Sequence, residues 1–221
     1  MDQRENMTAS EPGSRARQID EMYRLAGIPK RFTGLSLLDV KMVRFGAGVD
    51  VHSSYFLHGV AGSGKSFVMG ALAGELINEV PPLEEFQGMG DVTSPVRWKN
   101  VVELFFDLRK TFNREGGSED SVMSRLISCK YLFLDDLGAE KTSDWTMDRL
   151  YHVINSRYES MKHLVITSNL SLSEIQTRCH DRIASRIGEM CQVIEFPKRD
   201  LRLDKAEASR KPNASTTKGV A

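Results

Sequence analysis

Eight consecutive residues, Gly59-Val60-Ala61-Gly62-Ser63-Gly64-Lys65-Ser66, fill the pattern G-x-x-x-x-G-K-[ST]. Residues of these types at this spacing make an anion cradle. Gly59, Gly62 and Gly64 accept positive φ and let backbone N–H groups approach a phosphate closely. A helix starting near Gly64 adds the positive end of its dipole. Lys65 reaches the β- and γ-phosphates of a nucleotide and the Ser66 hydroxyl ligates Mg²⁺, with Val60, Ala61, Ser63 and Phe67 completing the loop. Chance places the four fixed residues in roughly 1% of chains this long, so flanking structure has to decide. Ser54–His58 is a short aromatic and apolar run suited to a buried strand. Phe67, Val68, Ala71, Leu72 and Leu76 then recur at helical spacing. Strand, loop and helix together predict a site for a nucleoside triphosphate.

A second group of reactive residues closes another apolar run, Tyr131-Leu132-Phe133-Leu134-Asp135-Asp136. A strand covered on both faces is continuously hydrophobic, and charges are tolerated at its exposed carboxyl end. In an open α/β sheet that end faces the ligand. Asp135 is the candidate to organise Mg²⁺ together with Ser66, and Asp136 is the candidate general base for an attacking water. Leu164–Asn169 repeats the logic, with Asn169 placed to hydrogen-bond a γ-phosphate or the lytic water. Two arginines four residues apart, Arg182 and Arg186, share one helix face. Such an arginine stabilises charge in phosphoryl transfer and can come from a neighbouring subunit; pairing with Asp181 or Glu189 on the surface is the plainer alternative.

The elements that position these groups alternate along the chain. Strands are expected at Ser54–His58, Val96–Lys99, Tyr131–Leu134, Leu164–Thr167 and Gln192–Phe196. Helices are expected from the phosphate loop onward, at Val101–Phe112, Ser121–Ser128, from about Trp145 to Met161, after the capping box Ser171-Leu172-Ser173-Glu174, and at Ile183–Ile187. Five strands separated by helices predict a parallel five-stranded sheet flanked on both faces. Residues 1–20 lack periodicity and read as a flexible tail, with a short helix over Ile19–Leu25 ended by Gly27 and Pro29. The expected division is a tail at 1–26, one ATPase domain at 27–202 and a disordered tail at 203–221, with no C-terminal lid domain.

Composition narrows the class. Hydrophobic residues make up 40% of 221, enough for one α/β core, and 30 basic residues balance 30 acidic ones. A neutral chain does not coat nucleic acid through bulk charge, which leaves a local basic strip. No apolar run approaches membrane-spanning length, and the polar N-terminus carries no secretory signal. Cys129, Cys179 and Cys191 lack metal-ligand spacing, so reduced, buried thiols in a cytoplasmic protein are expected.

Gly59–Ser66, Leu134-Asp135-Asp136-Leu137-Gly138-Ala139-Glu140-Lys141, Ile166-Thr167-Ser168-Asn169-Leu170 and Arg182-Ile183-Ala184-Ser185-Arg186-Ile187 stand in the order and spacing of AAA+ ATPases. They resemble in particular the DnaC/IstB group of helicase loaders and transposition ATPases. Gly27–Phe32 and Leu150–Tyr158 add to the resemblance, which covers about Ala26 to Arg202. It implies ATP with Mg²⁺, hydrolysis, and self-assembly on ATP binding. Asp135 and Asp136 would be the Walker B pair, Asn169 sensor 1, and Arg186 the arginine finger, supported by Arg182. Many AAA+ proteins carry Glu where Asp136 stands, and the shorter side chain implies slow turnover. Without a lid there is no sensor 2, and Arg202 is at best a remnant of one.

The implied role is an adaptor that loads or regulates a replicative helicase on single-stranded DNA, or an IstB-like ATPase that regulates a transposase. DNA contact by the family's helical insertion would fall on Arg109, Lys110 and Arg114; Phe105, Phe106 and Phe112 could stack on bases, though their spacing fits a core-facing stripe better. Trp98 and Trp145 read as packing residues. A scaffold that holds ATP without hydrolysing it is the rival from another class, and a small-molecule kinase is disfavoured by the Arg182/Arg186 helix and the absent lid.

Overall fold

The phosphate loop and the paired acids lie at the carboxyl end of a parallel sheet. The structure, a computed structural model, describes residues 12–40, 49–81, 94–112, 118–141 and 143–204. Its strands are β1 (Tyr55–His58), β2 (Val96–Asn100), β3 (Tyr131–Leu137), β4 (His163–Ser168) and β5 (Gln192–Glu195). Their spatial order is β2-β3-β4-β1-β5, and every pairing is parallel. β1 lies between β4 and β5, neither of which is next to it in the chain. The carboxyl end of β1 is therefore flanked by loops leading away in opposite directions, where open α/β sheets form a crevice.

The helices are α1 (Pro12–Ala26), α2 (Lys65–Glu79), α3 (Val101–Phe112), α4 (Glu119–Ser128), α5 (Asp144–Glu159), α6 (Leu172–Cys179) and α7 (Asp181–Met190). Strand alternation divides the core into two layers. Phe56, Leu132, Leu134, Leu164 and Ile166 face α3 to α7. Tyr55, Leu57, Tyr131, Phe133 and Val165 face α1 and α2. This is the parallel five-stranded sheet flanked on both faces that the alternation of patterns predicts.

Three departures from the sequence reading have physical causes. α1 starts at Pro12, inside the expected flexible tail. Proline suits a first helical position, and Arg15 Nη2 ties the helix down by donating to Val80 O (3.1 Å) and Asn78 O (3.3 Å), the carbonyls at the end of α2. Met22, Tyr23 and Ala26 are buried beneath it. Residues 1–11 and 205–221, together with the expected loop tip at Gly116–Gly117, lie outside the described residues. At the other end, 201–204 form a helical turn, so order runs past the expected boundary at 202. On α3, only Phe105 joins the core; Phe106 and Phe112 are each 61% exposed, which corrects the core-stripe reading. The buried face of α3 is carried by Val101, Leu104, Phe105 and Leu108, and Phe106 falls on its far side.

The base of the sheet is fastened by one cation. Arg157 on α5 is fully buried, and its guanidinium donates to the carbonyls of Leu126 (2.8 Å), Ile127 (3.4 Å), Cys129 (3.0 Å), Lys130 (3.1 Å) and His163. These are the orphan acceptors at the end of α4 and the entries to β3 and β4. Lys162 Nζ adds bonds to Ile127 O (2.8 Å) and Ser128 O (3.1 Å). The three cysteines are free thiols and buried. Burial pushes Cys179 up to about 11 and Cys191 to about 12, which keeps both protonated.

Candidate nucleotide site

β1 ends at His58, and the chain turns through Gly59 (φ +146°), Gly62 (+77°) and Gly64 (+100°) before α2 begins at Lys65. Left-handed backbone at these positions is what the glycines supply. Gly62 has a second reason. A Cβ there would collide with the carboxylate of Asp200, which the glycine leaves room for against the loop. Leu201 N donates to Gly62 O (3.0 Å) and fixes that contact.

Lys65 is buried and folded back over its own loop. Its ammonium donates to Gly59 O (2.8 Å), Val60 O (2.8 Å) and Asn169 Oδ1 (2.9 Å). Burial draws its pKa below the usual lysine range, while Asp136 and Asp135 act against that. Ser66 Oγ donates to Asp135 Oδ1 (2.8 Å), and Thr167 Oγ1 on β4 donates to the same oxygen (2.6 Å). Burial pushes the Asp135 carboxyl above the usual range, and these two hydrogen bonds hold it back.

The β3–β4 register breaks between Leu134 and Leu137, so Asp135 and Asp136 sit on a bulge. Asp136 takes φ +61°, unusual for a non-glycine residue. Its backbone N–H donates to Thr167 Oγ1 (2.9 Å) and its Oδ2 accepts from Asn100 Nδ2 (3.3 Å). The bulge turns the two acids apart: Asp135 toward Ser66 and Thr167, Asp136 toward the open cavity and Asn100. Asn100, the last residue of β2, also accepts the N–H groups of Val102 (3.0 Å) and Glu103 (3.3 Å), so it joins Asp136 to the first turn of α3.

These groups surround a cavity of about 820 Å³, within the size range of small-molecule sites. Ala61, Gly62, Gly64, Lys65, Ser66 and Phe67 form its floor, and Asp136 and Asn169 its far side. Two further walls were not expected from the sequence. Arg31, Phe32, Asp39 and Val40 come from two 3₁₀ turns, Lys30–Phe32 and Leu37–Val40. Arg199, Leu201, Arg202 and Asp204 come from the segment after β5. The motif Gly27–Phe32 signals the first wall. Nothing in the spacing signals the second, because a contact between residues 62 and 200 has no local trace. Arg202, read as a remnant, lines the cavity.

The residues fit a nucleotide with its metal. The Ser63 hydroxyl is buried and unpartnered, pointing to an acceptor that the loop is built to meet. Ser66 and Asp135 offer two hard oxygen ligands on facing elements, the donor type Mg²⁺ takes. Phe32, Val40, Phe67 and Leu201 give the cavity apolar walls. Val60, exposed on the loop, stands outside the lining.

Arg182 and Arg186 do not line this cavity. They project from α7 onto α5, where the Arg182 guanidinium lies 6.0 Å from the Tyr151 ring centroid and that of Arg186 4.4 Å from Tyr158. Arg109 and Lys110 are exposed on α3, with Lys110 over the Phe106 ring (4.4 Å) and 3.8 Å from Asp107. Arg114 lies outside the described residues. Trp98 is buried against Phe32 and Phe133, and Trp145 packs on Phe105 and Phe112. No helix among the described residues is long and apolar enough to cross a membrane.

Comparison with known proteins agrees with this geometry. The chain is 30% identical over 144 residues to the phage-like element PBSX protein XkdC of Bacillus subtilis (strain 168), covering 63% of this chain and 48% of that protein. It therefore spans about half the length of that relative. Two solved structures share the fold. The crystal structure of the DnaC helicase loader superposes with TM-score 0.55 at 21% identity, covering 76% of this chain and 100% of the other. That of DnaI superposes with TM-score 0.60 at 21% identity, covering 77% and 95%. The family described as IstB-like ATP binding protein matches residues 32–208. With the phosphate loop, the bulged acids and the sheet order, that match decides it: the chain belongs to the IstB-like ATP-binding proteins, within the DnaC/IstB group of AAA+ proteins.

Proposed function

We propose that the chain hydrolyses ATP slowly, and that it works as a nucleotide-switched adaptor loading or regulating a replicative helicase on single-stranded DNA in the cytoplasm. The observation that carries the proposal is the division of the machinery. Lys65, Ser66, Asp136 and Asn169 line one cavity, with Asp135 hydrogen-bonded to Ser66, while Arg182 and Arg186 lie outside it. A site completed from a neighbouring copy hydrolyses only when assembled.

ATP would lie with its triphosphate on Gly59–Phe67 and its base between the walls that hold Phe32 and Leu201. Ser66 and Asp135 would hold Mg²⁺, which neutralises phosphate oxygens when bound. Lys65 exchanges the carbonyls of Gly59 and Val60 for the β- and γ-phosphates. That exchange frees Asn169 to meet the γ-phosphate or the lytic water. Asp136 accepts a proton from that water as its oxygen attacks the γ-phosphorus and the bond to the bridging oxygen breaks. Arg186 of a neighbouring copy, supported by Arg182, stabilises the charge on the transferring group. The exposed Phe106, Arg109 and Lys110 on α3 supply a ring for stacking and cations for phosphates of single-stranded DNA.

The solved DnaC helicase loader and DnaI support the helicase reading through their shared fold, and the IstB-like family match supports a second reading, regulation of a transposase. The discriminating experiment is capture of partners by the Asp136→Asn protein with ATP, identified by mass spectrometry, with Lys65→Ala as control. A replicative helicase recovered only by the ATP-trapped form supports the loader. A transposase moves the chain to the other branch, and stoichiometric ATP binding with no phosphate release on DNA would favour a non-hydrolysing scaffold.

A further inference from the structure

The α5–α7 surface holds an arrangement that the nucleotide cavity does not use. Asn155 and Tyr158 lie three apart on α5, and so share a face. Arg186 crosses to both from α7: its Nε donates to Asn155 Oδ1 at 3.1 Å, and its guanidinium carbon stands 4.4 Å from the Tyr158 ring centroid. The Tyr158 hydroxyl donates to Glu189 Oε1 at 2.6 Å, which returns the ring to α7 one turn beyond Arg186. The three contacts form a closed clasp. It seizes the guanidinium by its inner nitrogen and one face, and no carboxylate is bonded to it among the described residues.

That detail separates a presented group from a sequestered one. An arginine paired with a carboxylate commonly gives both terminal nitrogens to it. Here Nη1 and Nη2, the pair suited to phosphate oxygens, carry no hydrogen bond among the described residues. Freezing a long side chain beforehand also removes rotamer entropy that would otherwise be lost as the charge develops. Glu189, one turn from Arg186 on α7, accepts instead from the Tyr158 hydroxyl.

We propose that Asn155 and Tyr158 are positioning residues that hold Arg186 ready for the nucleotide site of a second copy of this chain. The inference rests on the proposed role of Arg186 in a neighbouring site. Asn155 acts by orienting Nε, and Tyr158 by supporting the guanidinium plane. Neither touches nucleotide.

Mixed assemblies test this, because they separate the copy that gives the arginine from the copy that receives it. A Lys65→Ala chain keeps its arginine and has no working site; an Arg186→Ala chain keeps its site and has no arginine. Phosphate release is measured with ATP and single-stranded DNA for each chain alone and for the equimolar mixture. The mixture is expected to recover activity that neither chain has alone. Adding Asn155→Ala to the Lys65→Ala chain should lower the recovered rate by about fivefold, the scale of one orienting hydrogen bond. Tyr158→Leu in that chain should act similarly, and Tyr158→Phe, which keeps the ring, should restore at least half of the rate. Asn155→Ala placed in the Arg186→Ala chain, where no arginine remains to be positioned, should leave the mixture unchanged. Equal loss from either placement, or no loss from the first, overturns the clasp while leaving the trans role of Arg186 intact. Failure of the two parent chains to complement overturns the trans role and the clasp with it.

Discussion

Lys65 shows most plainly what the site holds in store. Its ammonium has three acceptors within 2.9 Å, two of them carbonyls of the loop that is to receive phosphate. Lys65→Ala removes the charge that replaces those contacts in the bound state, and nucleotide affinity should fall at least about a hundredfold, roughly 3 kcal/mol, in a titration with a fluorescent ATP analogue. Retained affinity would mean that the backbone cradle suffices. Asp136→Asn should instead keep binding within a few-fold and lower phosphate release by about a hundredfold or more, measured in the assembled protein with DNA. These residues were legible in the sequence because their chemistry is local: a glycine loop and an acid pair at a strand end can be read without knowing the fold. Thr167 and Asn100 were not, although both hold the acids. A threonine and an asparagine closing apolar strands look like turn residues until the sheet order places β2 and β4 on either side of β3.

At the scale of elements, most helices and strands follow their hydrophobic periods, and the departures mark tertiary rescue. α1 reads as tail because its apolar positions are few, yet Arg15 bonded to the end of α2 and the burial of Met22 and Tyr23 carry it back to Pro12. α2 contributes the complementary device. A Cβ at Gly74 would meet the carbonyl oxygen of Leu35, so that glycine lets the 3₁₀ turns lie on the helix and form one wall of the cavity. The opposite wall depends on Gly62. Gly62→Ala adds the strain of a left-handed alanine, about 1–2 kcal/mol, to a collision with Asp200. The expected result is nucleotide binding weakened by about tenfold or more, with the melting temperature lowered by only a few degrees. A large loss of melting temperature with intact binding would show that the contact serves the fold instead. Arg157 is the reverse case. Arg157→Ala removes a donor from five carbonyls at the end of α4 and the entries to β3 and β4, and should lower unfolding free energy by about 3–5 kcal/mol in urea titrations.

Across the whole molecule, the base of the sheet makes stability depend on acid. At the base, His163 packs against the rings of Tyr131 (5.1 Å) and Phe133 (5.7 Å) and beside the Arg157 charge. Burial first, and Arg157 second, lower its pKa to about 4. The unfolded chain, with an ordinary histidine near 6.5, takes up this proton before the folded one does. Stability from this residue is therefore unaffected above pH 6.5 and is lost as pH falls from about 6.5 to about 4, by about 3 kcal/mol in full. In His163→Asn this part of the acid slope should disappear. Urea midpoints at pH 7 and pH 5 for both proteins check it; equal slopes would show that His163 titrates normally in the folded chain.

Both unexpected walls of the nucleotide cavity come from segments that flank the sheet: the 3₁₀ turns before β1 and the strap after β5, the latter held to the phosphate loop by the Leu201–Gly62 bond. Mechanically, the site is a clamp with a handle on each side. Tension on either handle would part the walls without touching Asp136 or Asn169. Under the proposed ATPase cycle, the escape of spent nucleotide would then be the step most sensitive to load, and a partner pulling on either wall would set the dwell time of the ADP-bound protein without changing the rate of bond cleavage.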